Sequence, residues 1–403
     1  MIRQDFPILT TKIHGKPLIY LDNAATMQMP AQVQNRMRRF YEEENANIHR
    51  GVHSLSEKST VLYESVREIG QQFLHGRSED AMIFTSGATD AINQVAQMLE
   101  GFLAPGDEII TTQMEHHANF IPWYELCKRM GLKLRLLKVD SKGQLDLDHL
   151  ETLVNERTRL VAFTELSNVT GIETPVREII DVVRSRSDAY ILLDGAQGVV
   201  HCLKKLSEVD CDFYCFSGHK LGAPTGTGIL YIKEAVFKTL RPVRFGGGTV
   251  IKVSSDGVLF VDGPAAFEPG TPNYAGIIGL GEALSYWSQA PASMDAIEQP
   301  LILRLEQGFA QMEGVRILGE TGHRKGSLSI VIDQVHPYDF CKFMDLYGIA
   351  ARSGHLCAMP YLNALHTDYA IRFSVAPYNT PEEIDIVLEQ SRKIIQTLRR
   401  AGK

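Results

Sequence analysis

Lys220 closes the segment Ser217-Gly218-His219-Lys220 directly after a short apolar run. A lysine there is surface decoration in most proteins, but burial or positive neighbours that lower its pKa make it an amine able to form a Schiff base. Three other apolar runs end in polar clusters. One passes into Ser86-Gly87-Ala88-Thr89-Asp90, where small residues, helix N-terminal amides and the Thr89 hydroxyl can seat a phosphate. Another ends in Asp194-Gly195-Ala196-Gln197, where a buried carboxylate needs a cationic partner. The last leads to Gln113-Met114-Glu115-His116-His117-Ala118-Asn119. Neighbours on an extended segment face opposite ways, so no shared metal is expected, and one imidazole stacked on a flat ring is the better reading. Singly these clusters read as an N-cap turn, a helix cap and a surface lysine. Together, in this order, they specify pyridoxal phosphate, with Asp194 for the pyridinium nitrogen, Lys220 for the aldehyde carbon, and Ser217 and His219 beside the phosphate.

A second constellation lies further on. Cys357 sits in Ala351-Arg352-Ser353-Gly354-His355-Leu356-Cys357-Ala358-Met359-Pro360, which reads as an exposed loop. Most lone cysteines are small core residues, whereas exposure between Gly, His and Pro favours reactivity. A thiolate on such a loop can reach a bound substrate and carry sulfur away, and Arg352 and His355 are placed to help stabilise it. Arg372 stands in the otherwise apolar Ala370-Ile371-Arg372-Phe373-Ser374. It either pairs with a structural acid or forks onto a substrate carboxylate.

The elements that position these residues follow from the spacing. Apolar runs at 81–85, 108–112, 134–139, 160–164, 190–194, 213–217 and 228–232 alternate with helical stretches such as 90–99, 123–129 and 176–184, the pattern of an α/β unit with a mostly parallel sheet. Loops after such strands gather at one sheet edge, where ligands bind. The texture changes near residue 285, with a helical stretch over 294–312, strands at 327–332 and 371–375, and helices over 338–347 and 382–400. This predicts a large domain over 16–284 and a smaller α+β domain over 285–403, with residues 1–15 packing against the latter.

Composition narrows the function classes. The 403 residues carry 41 basic and 48 acidic side chains, a formal net charge of −7, which offers nucleic acid no general attraction. No apolar stretch has the ~18 residues of a membrane span, and the N-terminus lacks a signal-peptide pattern, so a cytoplasmic protein is expected. The six cysteines show no CxxC pairing, and Cys211 and Cys215 fall in a run that reads as a buried strand.

The chain resembles the SufS-like group II cysteine desulfurases, pyridoxal-phosphate enzymes with the type I aminotransferase fold (class V), over nearly its whole length. The resemblance rests on Tyr20-Leu21-Asp22-Asn23-Ala24-Ala25-Thr26, Ile48-His49-Arg50-Gly51-Val52-His53, Met114-Glu115-His116-His117-Ala118-Asn119, Ser167-Asn168-Val169, Asp194-Gly195-Ala196-Gln197, Ser217-Gly218-His219-Lys220, Pro269-Gly270-Thr271-Pro272 and the Cys357 loop. It implies that Lys220 holds the cofactor and moves the substrate's Cα proton, Asp194 pairs with the ring nitrogen, Gln197 meets the phenolic oxygen, and His117 stacks on the ring and acts in catalysis. It further implies a phosphate seat at Ala88, Thr89, Ser217 and His219, joined by Thr271 from the second subunit of a homodimer. Asn168 and Arg372 are implied to hold the substrate carboxylate, Cys357 to be the nucleophile, and Arg352, His49 and Arg50 to line the substrate entrance. The implied reaction converts L-cysteine to L-alanine, with the sulfur passing from a Cys357 persulfide to an acceptor of the SufE or SufU kind for iron–sulfur cluster assembly. Leu356 departs from the family's usual His before the cysteine, and Leu221-Gly222-Ala223-Pro224 lacks the aromatic or polar residue often found there.

Selenocysteine lyase or cysteine sulfinate desulfinase activity on the same fold is the nearest alternative. An aminotransferase leaves the Cys357 loop without a purpose, and a non-catalytic scaffold has no need of the Lys220, Asp194, Arg372 and Cys357 set.

Overall fold

A computed structural model describes residues 2–290, 294–319 and 324–401. Seven strands form the central sheet, namely β1 (Ala81–Thr85), β2 (Glu108–Thr112), β3 (Lys133–Leu137), β4 (Thr158–Thr164), β5 (Tyr190–Asp194), β6 (Phe213–Ser217) and β7 (Gly228–Ile232). Their order is β1-β7-β6-β5-β4-β2-β3. β7 runs antiparallel to both neighbours, and the parallel ladders from β6 across to β3 leave the other six strands pointing one way.

The strands are almost uniformly apolar because helices cover both faces. Successive side chains therefore enter different cores. Ile191 and Leu193 pack into one cluster while Leu192 joins the other, and Tyr214 and Phe216 part company in the same way from Phe213 and Cys215. Burial of Cys211 and Cys215 agrees with their reading as core residues.

The smaller unit holds an antiparallel sheet of β10 (Val315–Ile317), β11 (Ser327–Ile332), β13 (Ala370–Ser374) and β12 (Arg352–Gly354), in that order; the labels β8 and β9 fall to the hairpin Val250–Ser254 and Gly257–Phe260 of the large unit. Helices Met294–Ala310, Pro337–Asp345 and Pro381–Ala401 cover one face, burying Leu305, Phe309, Phe340, Ile371, Phe373 and Val387 together. Strand alternation then sends Arg372, between Ile371 and Phe373, to the opposite face, toward the large unit.

Two strand expectations are corrected. The run 134–139 ends as a strand at Leu137, because Val139 bridges instead to Leu145 across a turn closed on Asp140. Arg352–Gly354 is a strand rather than loop; its polar side chains give no strand signal, and pairing with Ala370–Ile371–Arg372 decides the matter. The division at 284/285 cuts the helix Tyr274–Ser288, which packs on the helices Ala31–Arg39 and Ser54–Phe73 of the large unit. Residues 19–22, expected in the large domain, pair with the small one through Ile19 on Ile349 and Asp22 on Ser374.

Candidate active site

The carboxyl ends of β1, β2, β4, β5 and β6 meet at one sheet edge, and β12 with the loop after it closes over them. Between lies a cavity of about 490 Å³ lined by Ala88, Thr89, Asn168, Asp194, Gln197, Ser217, His219, Lys220, Arg352, Cys357 and Arg372, with His116. A larger groove of about 990 Å³ runs past Arg177, Glu178 and Lys204, but none of these convergent groups reaches it.

Lys220 sits in a single turn, Gly218–Leu221, closed by Gly222 at φ 72°. Its Nζ donates to the Ala24 carbonyl, to which Gln197 Nε2 also donates at 2.9 Å. Burial pulls its pKa down to about 7, reinforced by Arg372 and opposed by Asp194. An amine near neutrality is half deprotonated at physiological pH and available as nucleophile and base. Asp194, 3% exposed, is pushed up to about 6 by burial; the Ala196 N–H at 2.9 Å and Lys220 hold the rise in check.

The opposite end of the cavity is built to receive an anion. Ser217 Oγ accepts from the Ala88 N–H at 2.8 Å, at the start of the helix Ala88–Leu99. Gly87 has φ 143°, and a Cβ there would stand 2.9 Å from Ser217 Oγ. β7 begins at Gly228, where a Cβ would stand 2.6 Å from Gly87 Cα. Only glycines allow this close approach of turn and strand. His219 Nδ1 lies 3.3 Å from Thr26 Oγ1, and burial with Lys220 nearby pulls its pKa down to about 4.

The two histidines divide otherwise than expected. His116, not His117, lines the cavity. Its Nδ1 accepts from the Ala118 N–H at 3.1 Å, which leaves the proton on Nε2 in the neutral ring. Burial, with Lys220 and Arg372 nearby, pulls its pKa down to about 4. His117 instead holds the cysteine loop, its N–H donating to the Cys357 carbonyl at 2.7 Å and its Nε2 accepting from the Met359 N–H at 3.2 Å. The extended backbone at His116 and the turn that starts at His117 send the two rings apart.

Asn168 Nδ2 adds a bond of 2.8 Å to the Leu356 carbonyl. Leu356 and Cys357 both have left-handed backbones, φ 53° and 52°, a conformation that costs energy outside glycine. Leu356 offsets that cost by burying its side chain in the main core, while Cys357 stays exposed. Leu356→Ala is therefore expected to free the loop, speeding hydrogen exchange at the Met359 amide about tenfold or more. Exchange measured by mass spectrometry checks this, and unchanged protection there would show that Leu356 is not the anchor.

Two residues with no assigned role in the sequence reading hold this site together. Asp22 accepts from Arg352 Nε and Nη2 and from Arg372 Nη2 at 2.7–3.2 Å. Glu115, fully buried, takes Thr112 Oγ1 and Asn119 Nδ2 at 2.6 Å and the Thr164 N–H at 3.0 Å, fixing the segment that carries His116; burial raises its pKa to about 8. Both stand inside the quoted motifs.

Comparison with known proteins places this arrangement. The description Aminotransferase class-V matches residues 19–387. The chain belongs to the class-V aminotransferase family. A cysteine desulfurase of Escherichia coli O9:H4 (strain HS) is 42% identical over 402 residues, covering 98% of both chains. The solved cysteine desulfurase CsdA from Escherichia coli superposes with a TM-score of 0.90 at 34% identity, covering 98% of each chain. The cysteine desulfurase of Thermococcus onnurineus NA1 gives 0.93 at 34% identity, again over 98% of each.

Three expected residues of this class-V protein stand apart from its own cavity. His49, Arg50 and Thr271 are all exposed, and their loops converge on one face. There Arg50 Nη2 donates to the Val250 carbonyl at 3.4 Å, Gly270 N–H to Gly247 O at 2.8 Å, and Tyr274 Oη to Asn47. The same face shows Val52, Phe245, Ile251 and Val253 at 62–97% exposure. Among the described residues no helix is long and apolar enough to cross a membrane, and no group of three or more His, Cys, Asp or Glu is arranged to hold a metal ion.

Proposed function

We propose that the protein is a cysteine desulfurase that takes the sulfur of L-cysteine onto Cys357 and releases L-alanine. The observation that carries this is an exposed cysteine, held by His117 and Asn168 at the mouth of the cavity whose floor holds a buried, pKa-lowered lysine. The groups fit pyridoxal phosphate, with Lys220 for the aldehyde carbon, Asp194 for the ring nitrogen, Gln197 for the phenolic oxygen, His116 beside the ring, and Ala88, Thr89, Ser217 and His219 for the phosphate. When bound, the cofactor supplies an electron sink for charge left at the substrate's Cα.

The chain's own residues do the rest. Arg372 is 2% exposed and its Nε has no partner, a cost that a substrate carboxylate relieves. Lys220 Nζ takes the Cα proton. Cys357 Sγ, as thiolate, attacks the substrate sulfur; the S–S bond forms as the S–Cβ bond breaks. The electron pair stays on Cβ, which a proton converts to the methyl group of alanine; Lys220 Nζ gives the Cα proton back, and Cys357 is left as a persulfide. Left-handed backbone and hydrogen-bonded carbonyls at Leu356 and Cys357 aim the sulfur while the loop stays near the surface for transfer.

The persulfide goes to an acceptor protein of the SufE or SufU kind, for iron–sulfur cluster assembly, and exposure of Cys357 suits that handover. The active form is a homodimer in which Thr271, His49 and Arg50 reach the other subunit's cavity; the apolar face around them supports this reading. Six unpaired cysteines suit the cytoplasm. Incubation of the cofactor-loaded protein with L-cysteine and a reductant tests the function. Equal amounts of alanine and sulfide are expected, while amino-group exchange with a keto acid would count for an aminotransferase instead.

A further inference from the structure

Beneath the turn Asp194-Gly195-Ala196-Gln197-Gly198 lies a buried pair with no part in the proton or sulfur transfers. Tyr214 Oη, from β6, donates to Glu165 Oε2 at 2.9 Å, and both residues are buried. Glu165 follows directly on β4, whose last residue, Thr164, pairs in register with Asp194. Its N–H donates to the Asp194 carbonyl at 2.9 Å, and its own carbonyl accepts from the Thr174 N–H at 3.0 Å. The turn rests on the pair so closely that no Cβ fits between them. One on Gly195 would stand 2.0 Å from Tyr214 Cζ, and one on Gly198 1.9 Å from Glu165 Oε2. Neither glycine has a positive φ, so space alone requires them. An apolar side chain would fill the place of Glu165 at less cost. Its Oε1 has no hydrogen-bond partner among the described residues, and burial raises the carboxyl's pKa to about 7, with Lys204 and Tyr214 opposing the rise.

Resting on the placing of Asp194 at the ring nitrogen and Gln197 at the phenolic oxygen, we infer that Glu165 is a positioning residue for the cofactor ring, which with Tyr214 forms a hydrogen-bonded floor that sets the height of the turn carrying both groups. Asp194 and Gln197 share one short turn, so a shift of that turn moves both contacts at once. The turn is fixed on its cavity side by the Ala196 N–H on Asp194 Oδ1 and by Gln197 Nε2 on the Ala24 carbonyl, each at 2.9 Å. At its start the Gly195 N–H donates to the Cys215 carbonyl at 2.9 Å. Under Gly198, where the helix Gly198–His201 begins, the support is the Glu165 carboxyl itself. A group that meets a ligand has to be held to within about 0.5 Å, which is the task of neighbours locked by packing and hydrogen bonds. The Tyr214 hydroxyl and the Glu165 carboxyl lock each other in that way, since a bond to a carboxylate is stronger than one between neutral groups.

The test titrates the cofactor-free protein with pyridoxal phosphate and reads the dissociation constant from absorbance, at a temperature where circular dichroism shows each variant folded. Glu165→Ala is expected to weaken binding about tenfold. Glu165→Gln keeps the bulk and an oxygen for the Tyr214 hydroxyl, and is expected to stay within about threefold of the wild type. Tyr214→Phe should lose as much as Glu165→Ala, and the two together no more than either alone, because each breaks the same bond. Wild-type affinity in Glu165→Ala, a loss in Glu165→Gln as large as that in Glu165→Ala, or additive losses in the double variant would each overturn the inference. Should Glu165→Ala not fold, Tyr214→Phe, which removes a single oxygen, decides, and unchanged affinity there overturns it. Undiminished binding by Asp194→Ala would undo the placing of the ring and this inference with it. Weakened binding by Asp194→Ala beside normal binding by Glu165→Ala sinks the inference alone.

Discussion

Cys357→Ala is expected to lower alanine formation from L-cysteine by about 10²-fold or more, because no other thiol can take the sulfur. Among the other cysteines, Cys127, Cys211 and Cys215 are buried. Burial pushes the Cys127 thiol up to about 11 and those of Cys202, Cys211 and Cys215 well above their ordinary range, and Cys341 rises to about 12. Each is therefore a poor thiolate at neutral pH. The same variant is expected to keep most of its turnover of cysteine sulfinate, whose β-substituent leaves without a nucleophile. Measuring both substrates on one preparation separates a lost nucleophile from a damaged fold. Undiminished alanine production from L-cysteine in Cys357→Ala would move the protein to the lyase class and leave the tethered loop without a chemical task.

Lys220→Ala is expected to have the second large effect, about 10²–10⁴-fold on turnover from loss of the proton-transferring group. The absorbance of the protein mixed with pyridoxal phosphate should lose the band that Lys220 gives the wild type. The lysine's environment adds a pH dependence whose sign is fixed. A depressed lysine is cationic below its pKa, so the nucleophilic amine accumulates as pH rises through about 7. Asp194, raised to about 6, also has to shed its proton before it can pair with a ring N–H. Uptake of pyridoxal phosphate by the cofactor-free protein should therefore speed up between about pH 6 and pH 8 and then level off. A rate that rises only near the ordinary lysine range would show that Lys220 is not desolvated as the structure has it.

Much of this architecture could be read from the sequence, for physical reasons that differ between elements. The runs 81–85, 108–112, 190–194, 213–217, 228–232 and 327–332 coincide with strands, because a strand buried on both faces must be apolar throughout and Gly, Asp or Ser marks its end. The polar ends of the runs 81–85, 108–112, 190–194 and 213–217 had to meet once those strands pointed one way, which made the cavity legible before its shape was known. Edge elements were not legible. Arg352–Gly354 and the hairpin Val250–Phe260 owe their strands to pairing partners rather than to their own residues. The choice between His116 and His117 is of the same kind. Their composition is identical, and only the backbone turn after His116 decides which ring meets the cavity and which meets the Cys357 loop. Asp22 escaped notice because its role depends on Arg352 and Arg372, more than 300 residues away, being opposite each other.

The most direct test of the account is to mix the holoenzyme with one equivalent of L-cysteine without reductant, alkylate at once, and map sulfur by peptide mass spectrometry. The account predicts one extra sulfur atom on the peptide holding Cys357, in an amount equal to the alanine formed. Alanine formed with that peptide unmodified, or the extra sulfur found on another cysteine, would contradict it.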